Sequence, residues 1–168
     1  MIRDLLILVL FPAAMAFAAI SDLLTMTISN RLSLALALGF FAVAAIVGMP
    51  LEDVGYHVLA SAVVLAVCFS FFAFGWIGGG DAKLAAAIAL WLGFAHLPRY
   101  LFLAAIIGGA LTLILIKLRT WPLPPSLIGT RWVERLHAAN AGVPYGIALA
   151  IAGLAVYPQT LIMRALAG

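Results

Sequence analysis

Two aspartates stand apart from the other ionisable residues of this chain. Of the six acidic residues, Asp4, Glu52 and Asp53 fall at the edges of apolar stretches. Glu134 lies between Arg131 and Arg135, where a solvated ion pair is expected. Asp22 instead closes an apolar stretch, in AAISDLLTMTISN, and Asp81 opens another, in GWIGGGDAKLAAA. An ionisable group beside a long apolar run is costly, and that cost marks a candidate functional site. Two carboxyls within hydrogen-bond reach do not readily ionise together and share a proton. The ionised member can take a proton from water while the protonated member polarises a carbonyl, which is general acid–base hydrolysis with no covalent intermediate.

The neighbouring residues fit that chemistry. Gly78, Gly79 and Gly80 carry no side chains and permit positive φ, so a backbone strand could lie against them while Asp81 is aimed across a cleft. A tight turn carrying a surface Asp is the simpler reading of the same glycines, and Gly75 and Gly79 also have the GxxxG spacing of helix packing. Lys83 reads as a membrane anchor, or as a charge that favours ionisation of the pair. Asn30 reads as a helix cap, or as a hydrogen-bonding partner of the active-site loop. Tyr145 suits an interfacial belt or a place near the cleft, Pro144 the first turn of a helix, and Gly142 and Gly146 again have GxxxG spacing.

Other chemistries find little support. His57, His96 and His137 are scattered with no HxxxH spacing, so no metal or cofactor is expected. No serine has a GxSxG setting. Cys68 is the single cysteine, which excludes an internal disulfide, and its apolar surroundings suit packing better than nucleophilic attack.

The elements that must position Asp22 and Asp81 follow from composition. Hydrophobic residues make up 67% of the chain and charged ones 9%, against about 25% charged in soluble domains. Mean hydropathy is +1.24. This composition excludes a secreted disulfide scaffold, a disordered tail and an ordinary cytosolic enzyme, and leaves an all-α integral membrane protein. Six stretches can span, approximately 4–22, 33–49, 55–75, 82–97, 99–117 and 143–163, with Pro98 dividing the fourth from the fifth and Pro12 expected to kink the first. Arg3 ahead of an apolar run has the outline of a cleavable signal. Asp4 in its basic region and Asp22 near the cleavage position argue for a retained span.

Six spans place both termini on one side. Arg31, Lys83, Lys117, Arg119, Arg131 and Arg135 then share the other side, against Arg3, Arg99 and Arg164 with the termini. The positive-inside rule makes the richer side cytoplasmic and the termini external. Asp22 and Asp81 come out at one depth on the cytoplasmic side. The whole chain, 1–168, reads as one membrane-embedded domain, with 118–142 a cytoplasmic interfacial loop marked by Trp121, three prolines and RWVERLHAAN. The small net charge of +3, with no basic run, argues against a nucleic-acid partner.

Three segments resemble one family. Residues 78–83, Gly-Gly-Gly-Asp-Ala-Lys, match the GxGD-x-K motif of type IV prepilin peptidases. Residues 21–30, Ser-Asp-Leu-Leu-Thr-Met-Thr-Ile-Ser-Asn, resemble their first motif, an Asp followed by Ile-Pro-Asn. Residues 143–146, Val-Pro-Tyr-Gly, resemble a third segment opening the last span. The chain is similar to the short form found with Flp/Tad pilus systems. The resemblance implies a multi-pass aspartyl endopeptidase of the bacterial cytoplasmic membrane. It carries the two catalytic aspartates onto Asp22 and Asp81, with cleavage of pilin-like precursors at the cytoplasmic face. The partners it implies are the precursor, membrane lipids and other pilus-assembly proteins. Ser29 stands where the family has Pro, and Leu23 where a basic residue is frequent, which suggests a looser turn after Asp22. One Cys cannot supply the cysteine-rich insert of longer, methylating relatives, so peptidase activity without methyl transfer is expected. Two other readings keep the same residues: a small proton- or ion-coupled transporter subunit using both Asp as carriers, and a structural subunit with no chemistry.

Overall fold

The computed structural model of the protein describes residues 2–166, and all regular structure among them is helical. Helix α1 is Ile2–Thr25, α2 Asn30–Val47, α3 Leu51–Ala73, α4 Gly79–Arg119, α5 Arg131–His137, α6 Tyr145–Val156 and α7 Leu161–Arg164. Four helices are long and apolar enough to cross a membrane, Arg3–Thr25, Asn30–Val47, Leu51–Ala73 and Gly79–Arg119, and Tyr145–Gln159 is a shorter apolar one. Their outward faces carry large apolar side chains such as Leu5, Phe17, Leu38, Phe69 and Leu113. In water such a surface would aggregate, whereas hydrocarbon accepts it because every helix satisfies its own backbone.

Helix α4 is broken. Gly93 has φ 65° and ψ 175°, outside helical values, and divides α4 into 79–92 and 94–119. The sequence places this break at Pro98, yet Pro98 lies inside the second segment. Gly93 takes the break because its left-handed backbone is open only to glycine at low cost. A Cβ there would also stand 2.9 Å from the His57 ring. His57 donates from Nδ1 to the Leu90 carbonyl at 2.7 Å, satisfying an acceptor that the broken helix leaves unpaired. Pro12 is carried within α1, which continues through it as Ile2–Thr25.

The first segment of α4 is the centre of the bundle. From Leu84 to Leu92 every residue is buried, and five alanines between 82 and 89 let neighbours approach closely. Ser61 of α3 donates to the Ala86 carbonyl at 2.8 Å, and Trp91 donates to Leu36 of α2 at 2.9 Å. Tyr157 stacks on Phe11, and Trp91 meets both rings at an angle, which joins α1, α4 and the end of α6. The chain past Gly93 runs back. Arg99 bonds Gln159 beyond the end of α6, Tyr145 at its start donates to Ala104, and Arg119 bonds Gly142. Helix α1 lies antiparallel to α6, since Tyr157 donates to Ile7 while Asp22 meets Gly146.

Two helix ends are closed by glycine. Gly48 and Gly75 both have φ near 70°, and each carries the paired backbone bonds that terminate a helix through a left-handed residue. Gly75 is therefore a loop residue, so Gly75 and Gly79 are not a helix-packing pair.

Candidate active site

The ends of α1, α2, α3 and α4 converge at one end of the bundle. There the connections 26–29 and 74–78 form the walls of a cleft of about 260 Å³, lined by Asp22, Met26, Thr27, Ile28, Gly78, Gly79, Gly80 and Asp81. The two aspartates, 59 positions apart in sequence, face one space. Asp22 is 4% exposed. Asp81, in the first turn of α4, is half-buried.

A third element holds Asp22. The N–H of Gly146, in the first turn of α6, donates to Asp22 Oδ2 at 2.7 Å. Asp81 lies beside the same amide-rich opening, with Gly78 directly behind its carboxyl. The start of a helix offers amides with no intrahelical acceptor and the positive end of the helix dipole, which makes it an anion site. Gly146 is buried, and a Cβ there would meet Asp22 Oδ2 at 2.7 Å and Ile28 Cδ1 at 2.6 Å. Glycine is required by the approach of the carboxylate, in place of the helix-packing role that GxxxG spacing suggests.

The three glycines before Asp81 serve close approach. None of them has positive φ. Gly78 is extended, with φ −72° and ψ 144°, and caps α4, while Gly79 and Gly80 are already helical. A Cβ on Gly80 would stand 3.2 Å from Ile28 Cβ, one on Gly79 3.2 Å from the Phe72 ring, and one on Gly78 3.0 Å from Asp81 Oδ2. The glycines thus let the 26–28 segment and the end of α3 press against the start of α4.

The turn after Asp22 is tied down despite the missing proline. Ser21 Oγ donates to the Thr27 carbonyl at 3.0 Å, Thr25 Oγ1 to Ser21 at 2.7 Å, and the Thr25 and Thr27 hydroxyls lie 2.7 Å apart. Met26 has φ 52°, a left-handed conformation rare for a residue with a side chain, at the point where α1 ends and the cleft wall begins. Ser29 itself caps α2, accepting the Leu32 amide at 3.2 Å. The cap is therefore Ser29 and not Asn30. Asn30 instead accepts a hydrogen bond from Lys83 Nζ at 2.8 Å, joining α2 to α4 just outside the cleft.

The remaining candidates are placed as follows. Tyr145 turns inward, its hydroxyl 3.1 Å from the Ala104 carbonyl and its ring filling the space above Gly108, so it is not a belt residue. Pro144 precedes α6 as its cap. Glu134 accepts the Gly129 amide at 2.7 Å and Arg135 donates to the Leu24 carbonyl at 2.8 Å, in place of the ion pair expected between them. Among the described residues no three His, Cys, Asp or Glu converge on a metal-sized site. The Gly146 amide and the Arg135 tie were not legible beforehand. The signal for the first is a Pro-Tyr-Gly start of an apolar helix, whose free amides attract a carboxylate.

Two carboxyls lining one cleft, walled by the 26–28 turn and three glycines, can activate water against a peptide laid between them. Comparison with curated proteins and with solved structures gives no match. A family model does match, over residues 9–113, and its description is the type IV leader peptidase family. The matched stretch runs through both aspartates and most of the bundle around them, and the chain therefore belongs to the type IV leader peptidase family, a family of membrane aspartic peptidases.

Proposed function

We propose that this protein removes the leader from type IV pilin-like precursors at the cytoplasmic face of a bacterial inner membrane, with Asp22 and Asp81 as the catalytic pair. Family membership implies leader peptidase activity. The observation that carries the assignment of the pair is that Asp22 and Asp81 line one cleft, with Asp22 held there by the Gly146 amide. In the working state the pair holds one proton. The ionised member accepts a proton from water as its oxygen attacks the scissile carbonyl, and the protonated member donates to the carbonyl oxygen. The tetrahedral intermediate then collapses with proton transfer to the leaving amine. The extended backbone at Gly78 supplies an edge for an extended substrate.

We read six membrane crossings in this fold, with both termini outside. Support comes from the reversal at Gly93. Residues 79–92 and 94–119 contact their neighbours in opposite directions, and α6 returns beside α1. The first of these segments is about 21 Å long at 1.5 Å per residue, less than the hydrocarbon core of about 30 Å. It lies buried among the other helices, which permits a short crossing. The basic ends of the bundle, Lys83, Lys117, Arg119, Arg131 and Arg135, lie with the cleft and favour the cytoplasm for it. The segment 118–142 lies at this end as an interfacial loop.

The test is co-expression with a pilin-like precursor and determination of the product's N-terminus. Wild type yields the shortened chain. Asp22→Asn and Asp81→Asn each insert in the membrane and leave the precursor whole. Normal processing by either variant removes the pair from the mechanism.

A further inference from the structure

Asp22 belongs to a closed circuit of hydrogen bonds that passes through two arginines outside the cleft. Arg135 of α5 donates from Nη1 to the Leu24 carbonyl at 2.8 Å, two residues past Asp22. Arg119, at the end of α4, donates from Nε to the Leu136 carbonyl and from Nη2 to the Gly142 carbonyl, both at 2.8 Å. Gly142 leads into Gly146, whose amide returns to Asp22. Around this ring every link is either a short stretch of chain or a hydrogen bond.

We infer that Arg119 and Arg135 are positioning residues, a clasp that sets the separation of α1 from the start of α6 and with it the bond between Gly146 and Asp22. The acceptors fit this role. Leu24 belongs to the last turn of α1, which has unpaired carbonyls and no basic residue of its own. Arg119 needs two donors held in a fixed fork, which a guanidinium supplies and an ammonium does not. Helix α5 has seven residues, with Val133 and Leu136 set beside Leu115 and Leu118 of α4, and the two arginines add directed ties to α1 and α4. The inference rests on the peptidase reading for its kinetic arm alone.

The experiment pairs cleavage kinetics with a distance. Arg119→Ala, Arg135→Ala, Arg119→Lys and Arg135→Lys are compared with wild type on a co-purified pilin-like precursor. In parallel, spin labels on cysteines placed at the exposed residues Leu24 and Asn140, with Cys68→Ala, report the separation of the two sides. Both alanine variants broaden the distance distribution and lower kcat by about 10- to 100-fold with KM within about twofold, the cost of a slightly displaced catalytic group. Arg135→Lys restores kcat because one donor suffices, and Arg119→Lys does not. An unchanged distribution in both alanine variants overturns the clasp. So does a broadened distribution with unchanged kcat, or full activity in Arg119→Lys. If wild type cleaves no precursor, the peptidase reading fails, and the distance measurement still decides the clasp.

Discussion

The Gly146 amide lies 2.7 Å from Asp22 Oδ2 and would be displaced by a single added carbon, whose position falls 2.7 Å from the same oxygen. A backbone donor aimed at a carboxylate orients it without a flexible side chain, and misplacing a catalytic group by about 1 Å costs about 10²-fold in rate. Gly146→Ala is expected to insert and fold while kcat falls by about that factor. Gly142→Ala, where nothing lies within 4 Å of the added carbon, keeps its rate. Single-turnover cleavage of a precursor by the two variants checks this. Equal rates would show that the amide does not orient Asp22.

The proposed hydrolysis through one ionised and one protonated carboxyl sets the sign of the expected pH dependence. At low pH both carboxyls are protonated and no base remains, and at high pH both are ionised and no acid remains. The profile of kcat/KM is therefore expected to fall on both sides of an optimum, with both limbs belonging to the pair as a unit. Measurement in detergent or nanodiscs over a wide pH range tests it. A profile flat on the acidic side would exclude a carboxylate base.

Gly93 and His57 are coupled at the helix break. Gly93→Ala forces a side chain into a left-handed backbone and against the imidazole at 2.9 Å, an expected loss of about 2–3 kcal/mol. His57→Ala removes the clash but leaves the Leu90 carbonyl unpaired, costing about 1–3 kcal/mol. The double variant is expected to lose less than the sum by about 1 kcal/mol. Thermal unfolding of the four proteins in one detergent gives the comparison, and strict additivity would count against the contact.

Met26 is held with φ 52° at the cleft wall. A glycine there adopts the same backbone without the steric penalty of about 1 kcal/mol. Met26→Gly is expected to raise the unfolding midpoint by a few degrees. The same change removes a side chain from the cleft, so KM for the precursor rises. A lowered midpoint would mean that the methionine packs more favourably than its backbone costs.

Membrane character, helical architecture and the candidate pair were all legible in the sequence. A chain so poor in charge leaves few aspartates to choose from, and Asp22 and Asp81 each sit at the edge of an apolar run. Helical periodicity and span length are local properties, so the first three long helices fall close to their expected places, while Gly79–Arg119 covers the two stretches expected at 82–97 and 99–117. The same local rules misplaced the break in α4. Pro98 is the stronger helix breaker by type, but the bend goes where His57, 36 residues earlier in the chain, presses its ring against a backbone with no Cβ.

What the sequence determined by itself is which residues are able to do chemistry and which segments are apolar enough to hold them at a membrane boundary. Only the tertiary structure decided how they meet. Asn30 pairs with Lys83 and leaves the cap to Ser29, Tyr145 turns inward to Ala104, and Gly146 faces Asp22 across 124 positions of chain. Each of these contacts joins residues from different helices. Side-chain type and spacing set what a residue can bond to, but the partner is chosen by the packing of helices that share no sequence neighbourhood.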